Sequence, residues 1–166
     1  STFGKGVDQF AYGITPYALE RSEGAYLWDV DGNRYLDTMM SSGAVLLGYC
    51  NSIVDKAIQQ QLKNGISFSL AHRLEVEVAE MLCERIPCAD MVRFGKNGND
   101  VTSAAIRLAR YVTGNNHILF CGYHGWQDWY IGSTTRDLGV PKAVKDLTHT
   151  FQYNDLKSLE NILSQH

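Results

Sequence analysis

Asn97-Gly98-Asn99, Tyr123 and His124 are the residues whose types and spacing point most clearly to chemistry. The first three sit in a glycine-bearing loop directly ahead of an amphipathic stretch. Free backbone N–H groups at a helix start point outward, and the helix dipole favours negative charge there. The N–H groups of Gly98 and Asn99 are therefore candidate donors to a phosphate. Tyr123 offers an aromatic face on which a flat ring can stack. His124 can pack beside that ring or hydrogen-bond to it. Together they suggest a phosphorylated ligand with a flat ring. A glycine loop before a helix is also an ordinary strand-to-helix turn, so a purely structural reading stands beside the functional one.

The elements that must position these residues are visible in outline. Met91-Val92-Arg93-Phe94 is an apolar run that reads as the end of a strand, and Gly95 to Asn99 is the loop. Val101, Ala104, Ala105, Leu108, Ala109 and Val112 recur at helical spacing and define one apolar face. Asn99 or Asp100 is expected to cap this helix, and Gly114 to stop it. His117-Ile118-Leu119-Phe120-Cys121 is nearly all apolar, as a strand buried on both faces would be. The span from Met91 to Cys121 thus reads as a βαβ unit. Ligands of such sheets sit beyond the carboxyl ends of the strands, where both candidate loops fall.

Elsewhere the chain is expected to begin with an arm over residues 1–23, carrying Phe10, Tyr12 and a Gly13-Ile14-Thr15-Pro16 turn. Asp31-Gly32-Asn33 between two aromatic-rich runs predicts a hairpin over 25–37. Asp29, Asp31 and Asn33 resemble the start of a calcium loop. That reading fails, because the sixth and twelfth positions hold Arg34 and Met40 rather than Gly and Glu. Ser41-Ser42-Gly43 reads as loop. Ile53, Val54, Ala57, Ile58 and Leu62 share one face of a helix capped by Asn51 or Ser52 and stopped at Asn64-Gly65. Leu74 to Ile86 forms a second helix, with Leu74, Val78, Met81, Leu82 and Arg85 along one side and Pro87 beyond it. His72, just before it, reads as a surface or packing residue. Residues 126–150 are irregular, broken by Gly132, Gly139 and Pro141. Thr148 to Tyr153 reads as a further strand, and Asn154-Asp155 caps a last helix.

The 166 residues suffice for a domain with a real core. A net charge of −3 without a lysine or arginine cluster argues against a nucleic-acid or anionic-membrane surface. No apolar run approaches the ~18 residues of a membrane span, and no secretory signal is visible. Cys50, Cys83, Cys88 and Cys121 lack the spacing of a zinc site and read as reduced, mostly buried thiols. The chain begins without methionine and ends soon after a helix starts, so it reads as an excerpt of a longer protein.

Several motifs, in order, carry a resemblance. Glu23 to Asp37 resembles the N-terminal signature of class III aminotransferases. Leu46-Leu47-Gly48-Tyr49 is similar to their Leu-Gly-His turn, with Tyr49 in place of the histidine. Arg93 to Arg110 resembles their Ser-Gly-Thr-Glu-Ala block and the helix after it. Thr113-Gly114, Gly122-Tyr123-His124-Gly125-Trp126 and Phe151-Gln152-Tyr153-Asn154-Asp155 continue the match. The likeness runs from about Thr15 to Asp155 and is nearest to glutamate-1-semialdehyde aminomutases and related sugar-pathway aminotransferases.

The resemblance implies an α/β fold, part of a fold-type-I large domain with a mostly parallel sheet and flanking helices, preceded by an arm and hairpin. Residues 1–65 would be the arm, hairpin and interface portion, and residues 66–166 the first part of the large domain. It implies pyridoxal 5′-phosphate as cofactor, a homodimer in the full-length protein and a small-molecule amino donor and acceptor; the cysteines suit a cytoplasmic setting, and charge and apolar runs argue against nucleic acid and membrane. Gly98 and Asn99 take the family's phosphate-binding position and Asn97 the serine before it. Tyr123 takes the ring-stacking position and His124 the histidine beside it. Ser41 and Ser42 fall at substrate-facing positions. Amides replace hydroxyls at Asn97 and Asn99, and amides can still donate. The family's Schiff-base lysine and its pyridine-nitrogen aspartate lie downstream of His166. Lys5, Lys56, Lys63, Lys96, Lys142, Lys145 and Lys157 do not sit in the lysine's context, and Lys96 reaches solvent or the phosphate instead. This chain by itself is then not expected to transaminate. The alternative is a truncated, non-catalytic protein that binds phosphate or completes an oligomer.

Overall fold

The computed structural model of the chain describes residues 10–165. The first nine residues of the expected arm, Lys5 among them, and His166 lie outside that range. The described residues up to His72 and those from Arg73 onward form two separate units.

The first unit is built on a three-stranded antiparallel sheet, β1 (Leu19–Glu23), β2 (Tyr26–Asp29) and β3 (Arg34–Leu36), in that spatial order. The expected arm therefore ends in a strand, with Arg21 opposite Trp28 and Glu23 opposite Tyr26. The expected hairpin joins β2 to β3 and pairs Tyr26 with Leu36 and Trp28 with Arg34. Gly32 lies at φ 85° in its turn, where a Cβ would be strained. Asp29, only 3% exposed, organises this turn. Its Oδ1 accepts from the N–H groups of Asp31 and Asn33, and its Oδ2 from Asn33 Nδ2 and the Tyr35 hydroxyl, at 2.7–3.0 Å. The donors of Asn33 first, then that of Tyr35, hold the Asp29 carboxyl below the usual range against the opposing effect of burial.

Helix α1 (Ser52–Leu62) follows, and the Asn51 side chain accepts from Ile53 and Val54 N–H. That is the expected cap. The second unit opens with α2 (Arg73–Arg85) and continues with α3 (Gly98–Thr113), closed by Gly114 in the left-handed region. Strand β4 (Ile118–Phe120) pairs in parallel with β5 (Thr148–Thr150). Short helices α4 (Asp128–Ile131) and α5 (Lys142–Lys145) lie in the crossover between them, and α6 (Leu156–Leu163) is capped by Asp155.

Three expectations are corrected. Met91 to Phe94 is not a strand, because no described strand lies beside it to complete a ladder, and Met91 is 90% exposed. The parallel crossover runs from β4 to β5 instead of from residue 91 to 121. The cysteines are all free, but Cys50 and Cys88 are exposed and Cys83 and Cys121 half-buried, since little packs around them. The apolar stripe of α3 also faces outward: Val101, Leu108 and Val112 are exposed, while Asn99, Thr102, Ser103, Ile106 and Arg110 are the more covered side. Among the described residues, the buried apolar side chains are Phe120, in the run expected to form a buried strand, and Tyr130 and Val140, in the stretch that shows no sequence periodicity.

Candidate functional site

Helix α3 begins two residues earlier than its periodicity suggests. Asn97, extended at φ −151°, is the N-cap, which corrects the expectation of Asn99 or Asp100. Its side-chain oxygen accepts from Asp100 N–H at 3.3 Å, and Asp100 Oδ2 accepts from Asn97 N–H at 3.2 Å, a reciprocal capping box. The cap won because an extended residue three positions before an acidic one satisfies two orphan donors together. Its consequence is that Gly98 and Asn99 become the first two helical residues. Their N–H groups have no acceptor within the helix. The Thr102 hydroxyl donates back to Gly98 O at 2.9 Å, so it stabilises the same turn.

The ring loop follows β4. His124 lies with Nε2 2.8 Å from Cys121 O. A carbonyl oxygen only accepts, so Nε2 carries the hydrogen and Nδ1 remains the acceptor. The imidazole is braced edge-on by Phe120 at 5.4 Å and by Tyr130 at 5.8 Å. Tyr123 is 78% exposed and meets Tyr130 edge-to-face at 5.6 Å. The small buried core, Phe120 and Tyr130, is thus the footing of this loop.

Asn97, Gly98, Asn99, Thr102, Tyr123, His124 and Gly125 line one open cleft of about 360 Å³. The structure therefore brings together all five candidates from the phosphate and ring loops. Two contacts hold the loops in register. Asn99 Oδ1 accepts from Trp126 N–H at 3.2 Å, and Trp129 Nε1 donates to Ser103 Oγ at 3.2 Å. Asn99 and Ser103 lie one helical turn apart on the same face of α3. Thr102 and Gly125 also line the cleft, and Ser103 and Trp129 tie its loops; sequence reasoning assigned none of them to it. The spacing of Asn99 and Ser103 was the available signal, masked by the stronger apolar stripe on the opposite side.

Ser41 and Ser42 belong to the first unit. Both are exposed, with φ 52° and 57°, and with Met40 at 44° they form three successive left-handed residues. Each such residue costs about 1–2 kcal/mol relative to a right-handed one. Asp37 anchors the turn through the N–H groups of Met39 and Met40 and the Tyr49 hydroxyl, the last at 2.7 Å. The Tyr49 hydrogen bond holds the Asp37 carboxyl below its usual range and in turn pushes the Tyr49 phenol up. Among the described residues no lysine lines the cleft, and Lys96, just before the cap, is exposed.

Comparison with known proteins gives this arrangement a class. The family model for aminotransferase class-III matches residues 9–163. The chain belongs to the class-III aminotransferase family. It is similar to 3-aminobutyryl-CoA aminotransferase of Cloacimonas acidaminovorans, at 38% identity over 93% of this chain and 37% of that protein. It is also similar to glutamate-1-semialdehyde 2,1-aminomutase 2 of an Exiguobacterium species, at 41% identity over 89% of this chain and 36% of the relative. Among solved structures, the FumI protein of Sphingopyxis sp. MTA144, in a form carrying PLP, superimposes with a TM-score of 0.85 at 33% identity, covering 93% of this chain and 37% of that one. The fold is a portion of the fold-type-I transaminase fold. The chain spans little more than a third of the length of the curated relatives it matches.

Proposed function

We propose that this chain forms the phosphate- and ring-binding part of a pyridoxal-phosphate-dependent aminotransferase or aminomutase. The observation that carries the reading is the shared cleft, in which the two unpaired N–H groups at the start of α3 lie with the exposed Tyr123 ring. The residues fit the group. The donors of Gly98 and Asn99 suit a phosphate, and the capping box keeps the Asp100 carboxylate turned onto Asn97 N–H. Tyr123 presents a face for the pyridine ring. His124 is fixed through Cys121 O with Nδ1 left as an acceptor. When bound, the cofactor supplies the carbonyl that takes up an amino group and a ring that draws off electrons. Asn97, Gly98 and Asn99 would hold its phosphate, and Tyr123 and His124 would orient its ring.

We further read Ser41 and Ser42 as substrate-facing, a role supported by the exposure of both residues in an anchored, strained turn. Residues 1–65 are then the interface portion and 66–166 the start of the large domain. The whole protein would act as a homodimer on small amino donors and acceptors. Four free thiols fit a cytoplasmic setting, and no described helix is long and apolar enough to cross a membrane. The lysine-free lining favours a second reading for the chain by itself, cofactor binding without turnover.

The test is a titration with pyridoxal 5′-phosphate followed by tryptophan fluorescence, since Trp126 adjoins the cleft. Saturable quenching is expected, weakened about tenfold by Tyr123→Ala from the loss of stacking and contact area. No saturable binding, or equal binding by the variant, would overturn the assignment.

A further inference from the structure

We propose that Asn99 is a positioning residue that clasps the phosphate loop to the ring loop, and that position 125 is glycine in order to admit it. The inference rests on the cofactor reading above for its consequence, but not for its geometry. Asn99 Oδ1 accepts from Trp126 N–H at 3.2 Å, a contact between residues 27 positions apart. It reaches that N–H through the space where residue 125 would carry a side chain. A Cβ on Gly125 would lie 1.6 Å from Asn99 Oδ1 and 2.8 Å from Asn99 Cγ. Gly125 is buried and sits at φ 112°, so the backbone there is also one that only glycine adopts without strain.

The clasp assigns separate duties to the atoms of one residue. The Asn99 N–H is left for an anion, while its side-chain oxygen is spent on the neighbouring loop. This matters because the residues before α3 form no strand in the described structure, so the helix start is not held from behind. The Trp129–Ser103 bond secures the next turn of the same helix face. With both in place, the spacing between the N–H donors of Gly98 and Asn99 and the Tyr123 ring is set before any ligand arrives. A serine or threonine hydroxyl at 99 is one atom shorter and would not span the same gap to Trp126 N–H.

The experiment compares the chain with Asn99→Ala, Asn99→Asp, Gly125→Ala and the double variant that combines Asn99→Ala with Gly125→Ala. Two readouts are taken: amide hydrogen exchange at Trp126 without ligand, and the dissociation constant for pyridoxal 5′-phosphate. Trp126 exchange should rise about tenfold in Asn99→Ala and in Gly125→Ala, and stay slow in Asn99→Asp, which keeps an acceptor oxygen. Cofactor binding should weaken about tenfold in Asn99→Ala, and also in Asn99→Asp, where the carboxylate repels the phosphate. Gly125→Ala should weaken binding more when Asn99 is present than when it is combined with Asn99→Ala, because the clash is with the Asn99 side chain. Unchanged Trp126 exchange in Asn99→Ala overturns the proposal. So does strict additivity of the two substitutions. If Gly125→Ala does not fold, Asn99→Ala and Asn99→Asp decide alone. If the parent chain binds no cofactor, the reading of the site fails, while the exchange data still decide the clasp.

Discussion

The Asp29 hairpin and the Asn99 cleft are both turns held by side-chain-to-backbone hydrogen bonds, yet they end in opposite states. At the hairpin, one nearly buried carboxylate takes four donors drawn from Asp31, Asn33 and Tyr35, within six residues of itself. Every oxygen is used on the chain, and nothing is left over for a ligand. At the cleft, the key tie spans 27 residues, and it holds two loops so that the N–H groups of Gly98 and Asn99 and the ring of Tyr123 stay outward. A closed local network makes a structural turn. A long-range one that leaves donors unused leaves groups free for a ligand.

The sharpest way to break this comparison is at its closed end. Asp29→Ala leaves four donors without the acceptor that orders the turn. Amide protection at Asp31 and Asn33 should fall about a hundredfold by hydrogen exchange, and retained protection would show that the network is incidental. A smaller effect comes from pH. The Asp29 carboxyl is held below its ordinary value of 3.8, so its contribution is present above that value and is lost as pH falls through the lower folded value. The Tyr35 phenol is pushed above 10.0 chiefly by its bond to Asp29, so that bond holds below pH 10.0 and fails as pH rises through the raised value. Far-ultraviolet circular dichroism of the strands should therefore be flat between these limits and decline beyond both. The smallest effect is at the cleft's second tie. Ser103→Ala removes the Trp129 partner and should cost about 1 kcal/mol of stability in the second unit, read as a lower melting temperature.

The same contrast explains what could be read ahead of the structure. The hairpin, the Asn51 cap of α1, the Gly114 stop and the Asp155 cap are local, set by residues a few positions apart, and all are where the sequence puts them. One failure is local: the capping box with Asp100 makes Asn97 the cap of α3 in place of Asn99 or Asp100. The other failures are long-range. Met91 to Phe94 has the composition of a strand, but a strand needs a neighbour, and composition says nothing of whether one is present. The apolar stripe of α3 was read correctly as a face, yet within the described residues its polar side meets the ring loop. Of the small core, Phe120 lies in the run legible as a buried strand, while Tyr130 and Val140 lie in a stretch without periodicity, where helices of four residues are too short to show one. The candidate residues of the site were legible as types at loop positions. Gly125 was not, since its reason for being glycine is an oxygen on residue 99.

The central claim is that the start of α3 binds a phosphate while the neighbouring loop binds the ring that carries it. The most direct measurement is the ratio of dissociation constants for pyridoxal 5′-phosphate and pyridoxal, taken on the same chain by the same fluorescence titration. Charge-assisted bonds from two backbone N–H groups should make the phosphorylated compound at least about tenfold tighter. Equal affinity for the two compounds would contradict the account.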